Sequence, residues 1–252
     1  MITRTELHAY LDEQLQISRF QDYCPNGLQV EGKPVIKVLV TGVTASQALL
    51  DAAVKQHADA ILVHHGYFWR GESQTVTGLK YQRLKTLLAN DINLMAYHLP
   101  LDAHPEFGNN VQLAKILDLQ IDGVITGTGE PAIGLRGKLK APQLLTEFSS
   151  YIASQLGREP TIIAGHDRVI RTVGWCTGAA QGYIQQAADS GLDAFISGEA
   201  SEQTTHLARE LGIHYIAAGH HATERYGVKS LGEHLAQQFD LQHYFIDIDN
   251  PI

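Results

Sequence analysis

The chain of 252 residues holds 13 histidines, and several of them close short apolar runs. Residues 59–66, DAILVHHG, end in His64 and His65. Residues 92–102, INLMAYHLPLD, carry His98 and, four positions on, Asp102. Residues 213–224, IHYIAAGHHATE, end in His220, His221 and Glu224. One histidine at a strand end is ordinary packing. Imidazole and carboxylate gathered at three such ends are the donor types of a divalent metal site.

An imidazole and a carboxylate four residues apart converge if they share a helix face, as in His-x3-His zinc sites. ATERYGVKSLGEHLAQQF, residues 222–239, has the apolar spacing of a helix beginning near His220. Adjacent residues of a strand point to opposite sides, so His64 and His65 are expected to serve different ions. The candidates outnumber the places of one tetrahedral site and include carboxylates able to bridge, which favours two metals. This donor set suits zinc, manganese, iron, cobalt or nickel better than magnesium, and the lack of thiolate argues against a purely structural zinc.

The segments that position these residues form a repeat. Residues 38–65, VLVTGVTASQALLDAAVKQHADAILVHH, resemble residues 173–199, VGWCTGAAQGYIQQAADSGLDAFISGE. Each starts with an apolar run leading to Thr-Gly (Thr41-Gly42, Thr177-Gly178). Each continues with helical periodicity, then Asp-Ala (Asp59-Ala60, Asp193-Ala194) and an apolar strand. Amphipathic helices are expected over residues 3–18 and 141–157 before these units. A helix, turn and buried strand should follow in 81–98 and 201–220. The pattern predicts an α/β fold of two similar domains from an internal duplication, with mostly parallel sheets. The glycine-rich stretch 119–140 sets the expected boundary, giving domains 1–124 and 125–252. In such sheets ligands bind beyond the carboxyl ends of the strands. His98-x3-Asp102 is expected to hold the place of His220-x3-Glu224, and Glu199 the place of His65.

The net charge is −8, and no lysine- or arginine-rich run occurs, which argues against nucleic acid as the main partner. No apolar run has the length of a membrane span. The amino terminus, MITRTELHAYLDEQL, lacks the apolar core of a signal peptide, so a cytoplasmic location is expected. Cys24 and Cys176 form no CxxC and are expected to be reduced, buried thiols.

VTGVTASQALLDAA, ILVHHGYFWRG, HLPLDAHPEFGNN, FISGEASEQT and GHHATER resemble the YbgI-like family of dinuclear-metal-centre proteins, commonly called GTP cyclohydrolase 1 type 2 homologues. The match runs from PNGLQVEG to the FIDIDNP ending. It implies a pair of similar α/β domains, a metal pair in the cleft between them and a toroidal homohexamer. The implied ligands are His64, His65, Asp102, His220 and Glu224, all of the expected types. The implied chemistry is metal-dependent hydrolysis of a small molecule: GTP, another nucleotide, or another phosphorylated or cyclic compound. If the family name applies, water adds at C8 of guanine and formate leaves. No G-x-x-x-x-G-K-S/T phosphate loop is present.

His98 lies outside that implied ligand set and is expected to act in catalysis, steadying a ligand or moving a proton. Tyr67, Glu199 and His221 are candidates for substrate contact, and Phe68 and Trp69 for stacking on a base. The alternative is a non-enzymatic, metal-binding hexameric ring that acts as an assembly platform, metal carrier or regulatory partner. Open coordination positions belong to the enzyme and not to a structural site.

Overall fold

Asp59 and Asp193, the acidic residues of the two Asp-Ala pairs, perform the same task in the computed structural model, which describes residues 1–252. Asp59 Oδ2 accepts from the backbone N–H groups of Lys37 (2.9 Å) and Val38 (3.0 Å). Asp193 Oδ2 accepts from Arg171 (2.9 Å) and Thr172 (3.0 Å). Each carboxylate ties the start of its own strand to the start of the strand beside it. The next strand is tied in turn, with Asn93 N donating to Asp59 O and His214 N to Asp193 O, both at 3.0 Å.

The chain divides into two compact units, one of Met1–Gly108 with Gly227–Asp249, the other of Asn109–Tyr226 with Asn250–Ile252. The first contains β1 (Ile2–Thr3), α1 (Arg4–Gln14), β2 (Gly27–Val30), β3 (Val35–Ile36), β4 (Val38–Thr44), α2 (Gln47–Lys55), β5 (Ala60–His65), α3 (Gly78–Ala89), β6 (Asn93–Ala96) and α4 (Leu99–Ala103). The second contains α5 (Asn109–Ile116), β7 (Gln120–Val124), β8 (Leu135–Gln143), α6 (Leu145–Leu156), β9 (Thr161–Ile163), β10 (Ile170–Cys176), α7 (Ile184–Asp189), β11 (Ala194–Ser197), α8 (Thr204–Leu211) and β12 (His214–Ala217). Helix α9 (His220–Phe239) begins in the second unit and ends in the first, where β13 (Gln242–Phe245) follows.

In the first unit the sheet order is β13-β4-β5-β6-β2. All its strands are parallel except β2, which runs against β6. Both faces are covered, which is why β5 is a continuous apolar run. Ala60 and Leu62 pack with Leu7 and Leu11 of α1 and with Val228, Leu231 and Leu235 of α9. Ile61 and Val63 pack with Leu49, Leu50 and Ala53 of α2 and with Leu84 and Leu87 of α3. Helix α1 starts from a capping box in which Thr3 and Glu6 satisfy each other's backbone N–H.

The second sheet runs β7-β8-β10-β11-β12-β9. Here the expectation of a mostly parallel sheet fails: β10, β11 and β12 are parallel, but β7, β8 and β9 pair antiparallel. The ten residues between β7 and β8 suffice for an antiparallel return, whereas a parallel one needs a crossover. Strand β8 also takes up residues 135–143, so the helix expected from 141 starts at Leu145.

The units also differ from the expected domains 1–124 and 125–252. Leu113, Ala114, Leu117 and Leu119 pack with Phe148, Ile152 and Trp175, which places α5 and β7 in the second unit. The chain returns to the first unit because β13 adds in parallel beside β4. No helix is long and apolar enough to cross a membrane.

Burial alone would raise the Asp59 carboxyl, but hydrogen bonds from Lys33, Val38 and Lys37, with the Lys33 charge, outweigh it and lower the pKa. A lowered carboxyl contributes stability above its unfolded value, lost as pH falls through the folded one. Asp59→Ala and Asp193→Ala are each expected to lower stability in urea unfolding at neutral pH by about 1–3 kcal/mol. A change within about 0.5 kcal/mol for both would show that the strand starts hold without them.

Candidate metal centre

His64 is fully buried at the carboxyl end of β5. Its Nδ1 lies 3.0 Å from the backbone carbonyl of Tyr97, just past β6. A carbonyl only accepts, so Nδ1 carries a proton, and in the neutral ring Nε2 holds the lone pair. That Nε2 stands 3.5 Å from Oδ1 of Asp102, a buried residue of α4. His65 places its Nδ1 3.0 Å from Thr44 Oγ1 at the end of β4. Strand alternation does not keep the two rings apart. Their centroids are 4.6 Å from each other. Gly66 makes the exit possible, since a Cβ there would stand 2.6 Å from the Ala96 side chain.

His98 joins the same cluster. One ring nitrogen from each of His64, His65 and His98 lies within 4.8 Å of the other two. That spread accommodates one ion or a pair about 3.5–4 Å apart. His98 Nδ1 sits 2.7 Å from Asp22 Oδ1. Asp22 also accepts from Tyr23 N (2.6 Å), Asn26 Nδ2 (2.9 Å) and Leu99 N (2.9 Å). Burial opposes its charge, but His98, Asn26 and the Tyr23 N–H outweigh this and hold it at about 2. Asp22 was not a sequence candidate. Its one local signal, Asp and Asn four apart around a proline, is that of any turn.

In the second unit, His220 opens α9 between two carboxylates. Nε2 is 3.1 Å from Glu224 Oε2, and Nδ1 is 2.6 Å from Glu199 Oε1. The expected helix face is therefore present. Burial would lower the imidazole, but hydrogen bonds and charge from Glu224 and Glu199 raise it to about 9. Two glycines make room. A Cβ on Gly198 would lie 2.6 Å from the Cα of His220, and one on Gly178, where φ is +68°, would collide with the Glu224 carboxylate. Thr223 Oγ1 accepts from Gly178 N (3.1 Å) and donates to Gly219 O (2.9 Å), tying this loop to α9.

The repeat register is kept in some places and not in others. Ala60 and Ala194 pair alike with their neighbouring strands, opposite Leu39 and Val173, but His65 is still paired in β5 whereas Glu199 lies past the end of β11. Thr41-Gly42 and Thr177-Gly178 do not correspond, since Thr41 pairs with Leu62 inside the sheet while Thr177 lies past the end of β10. His98 and His220 also differ by one place. His98 precedes the first residue of α4, whereas His220 is the first residue of α9.

Other candidates are placed elsewhere. Tyr67 is buried, its hydroxyl donates to Ala45 O at 2.7 Å, and burial raises its pKa. Glu199 is engaged with His220. His221 is buried near the carboxyl terminus, with its backbone N–H donating to Ile252 O at 2.9 Å. Trp69 packs edge-on against His98, ring centroids 5.0 Å apart, and Phe68 is partly exposed beneath Lys80.

This is an α/β protein with clustered imidazole and carboxylate donors able to hold a divalent metal ion. The chain belongs to the Duf34/NIF3 family (NGG1p interacting factor 3), whose sequence profile matches residues 2–251. It is 57% identical over 241 residues to a Pseudomonas aeruginosa protein named GTP cyclohydrolase 1 type 2 homolog, with 95% of each chain covered. The solved structure of protein ybgI, described as of unknown function, superposes over 100% of both chains with a TM-score of 0.96 at 53% identity. A crystal structure of a Thermus thermophilus protein gives 0.90 at 36% identity, again over 100% of both chains. The resemblance to the YbgI-like proteins therefore holds along the chain.

Gly198→Ala is expected to displace the start of α9 and loosen His220 from Glu199. In the metal-free protein, the His220 imidazole followed by NMR should then titrate well below about 9. An unchanged titration would show that the glycine is not what seats this histidine.

Proposed function

We propose that the protein is a hydrolase dependent on two divalent metal ions, ligated by His64, His65 and Asp102 of the first unit and His220 and Glu224 of the second. The observation that carries this is the orientation of buried His64: its Nδ1–H is spent on the Tyr97 carbonyl, and its lone pair is turned toward the Asp102 carboxylate. A buried imidazole and carboxylate so arranged fit a cation between them. Bound ions of the zinc, iron, manganese, cobalt or nickel type would supply Lewis acidity and an activated water. The chain's own residues orient and shield: Asp22 fixes His98, Glu199 fixes His220, and Trp69 covers the His98 ring. The matching roles of Asp59 and Asp193 support descent of both units from an internal duplication.

The substrate class is a small phosphorylated or cyclic molecule, and the name carried by the relatives makes ring-opening hydrolysis of GTP the first reaction to try. The family description, NGG1p interacting factor 3, favours a second reading in which a homohexamer carries metal as an assembly platform, carrier or regulatory partner. Solution mass and turnover separate the two.

Metal analysis should find two ions per wild-type chain and a clear deficit in the His64→Ala, Glu224→Ala double variant. Full occupancy of the variant would overturn the ligand set. Metal-loaded protein screened against GTP, cyclic nucleotides and phosphoesters should show turnover that the variant lacks, and its absence throughout would leave only the non-enzymatic reading.

With His220 raised to about 9, the metal-free protein carries that proton at neutral pH, and an entering ion must displace it. Calorimetry in buffers of different ionisation enthalpy should therefore register proton release. Affinity should fall as pH drops. Binding without proton release would remove His220 from the ligands.

A further inference from the structure

We propose that a pocket beside α3, lined by Tyr67, Glu72, Thr77, Leu79, Lys80 and Arg83, binds an anion of the phosphate class, either free phosphate or the phosphoryl group of a small molecule. None of these residues is a donor of the candidate metal centre, and the inference does not rest on that centre.

Size and charge define the ligand. The cavity is about 260 Å³, below the range of about 300–1,000 Å³ usual for drug-sized ligands, so it suits a small group better than a whole nucleotide. Of its charged residues, Lys80 and Arg83 are cations and Glu72 is an anion that is already engaged. Glu72 Oε1 lies 3.2 Å from Lys80 Nζ, and its Oε2 accepts from Trp69 N at 3.0 Å. Lys80 also donates to Ser73 O at 2.8 Å, which leaves one ammonium N–H for a ligand. Leu79 is exposed, so the pocket opens to solvent.

Arg83 is the central observation. Its Nε is buried and has no hydrogen-bond partner. A buried N–H without an acceptor is costly, more so in a charged group, and native structures hold few of them. The guanidinium lies over the Tyr67 ring, with Cζ 5.8 Å from the centroid. That ring is itself fixed, because the Tyr67 hydroxyl donates to Ala45 O at 2.7 Å. A guanidinium steadied by an aromatic face presents its N–H fork to an oxyanion.

The start of α3 adds donors of the same kind. Thr77 is its N-cap, yet the side chain makes no capping hydrogen bond, so the hydroxyl is not used on the helix as a threonine there usually is. The 12-residue helix also turns the positive end of its dipole to this pocket, where Thr77, Leu79 and Lys80 form part of the wall.

The test is calorimetric titration of the whole, metal-loaded protein with inorganic phosphate and, in parallel, with ribose 5-phosphate and ribose. Wild type is expected to bind phosphate, and Arg83→Gln to weaken it on the order of 10–100-fold. Arg83→Lys should fall between them, because it keeps the charge and loses the fork. Bound metal is a second place for phosphate, so the His64→Ala, Glu224→Ala variant serves as the control and should keep wild-type affinity. Tighter binding of ribose 5-phosphate than of phosphate would assign the site to a phosphorylated molecule, and equal or weaker binding to free phosphate. If Arg83→Gln does not fold, Lys80→Gln and Thr77→Val carry the same comparison. No phosphate binding by wild type, or loss of binding only in the metal-ligand variant, would overturn the inference. Wild-type affinity in Arg83→Gln would overturn it too, and a lowered solution mass in that variant would assign Arg83 to a contact between copies instead.

Discussion

A neutral imidazole has one lone pair, and what stands behind the other nitrogen decides where it points. Here the Tyr97 carbonyl and the Asp22 carboxylate make that decision for His64 and His98. Much of the first unit serves to bring those acceptors into place. Strand β6 stops at Ala96, which frees the Tyr97 carbonyl from the ladder. At the opposite end of the sheet, Asn93 donates to Lys33 O and Asp59 O and accepts from Gly32 N. A strand fixed at its start has its register set, and a slip of one residue would turn His64 to the other face.

The two units prepare their histidines in opposite electrostatic surroundings. In the first, the Nδ1 groups of His64 and His98 are spent on a carbonyl and a carboxylate. In the second, a single imidazole is held between Glu199 and Glu224, which favour its protonated form. Without metal, the proton on His220 partly neutralises that acidic pair.

Much of this was legible in the sequence. The paired β-strand and helix periodicities, the Asp-Ala signature and the i, i+4 spacing of His220 and Glu224 depend on local chain geometry, which residue types report directly. What failed depended on pairing or side-chain direction. The Thr-Gly pairs share residue types but not register. His98 and His220 share a spacing to carboxylate but sit one place apart at their helix starts. Asp22 could not be found because its partner is 76 residues away, and nothing local marks it.

The return of β13 to the edge of β4 has a consequence for how the chain is made. When residues 1–108 have left the ribosome, the first sheet still lacks an edge strand, and the face bearing Leu39, Ala60 and Leu62 lacks Val228, Leu231 and Leu235. The second unit has nearly all of its residues before those arrive. The half of the protein that begins first waits for nearly all of the other half before its own core can be completed. Until then its apolar face and open strand edge stay exposed, the condition under which nascent chains aggregate or call on chaperones.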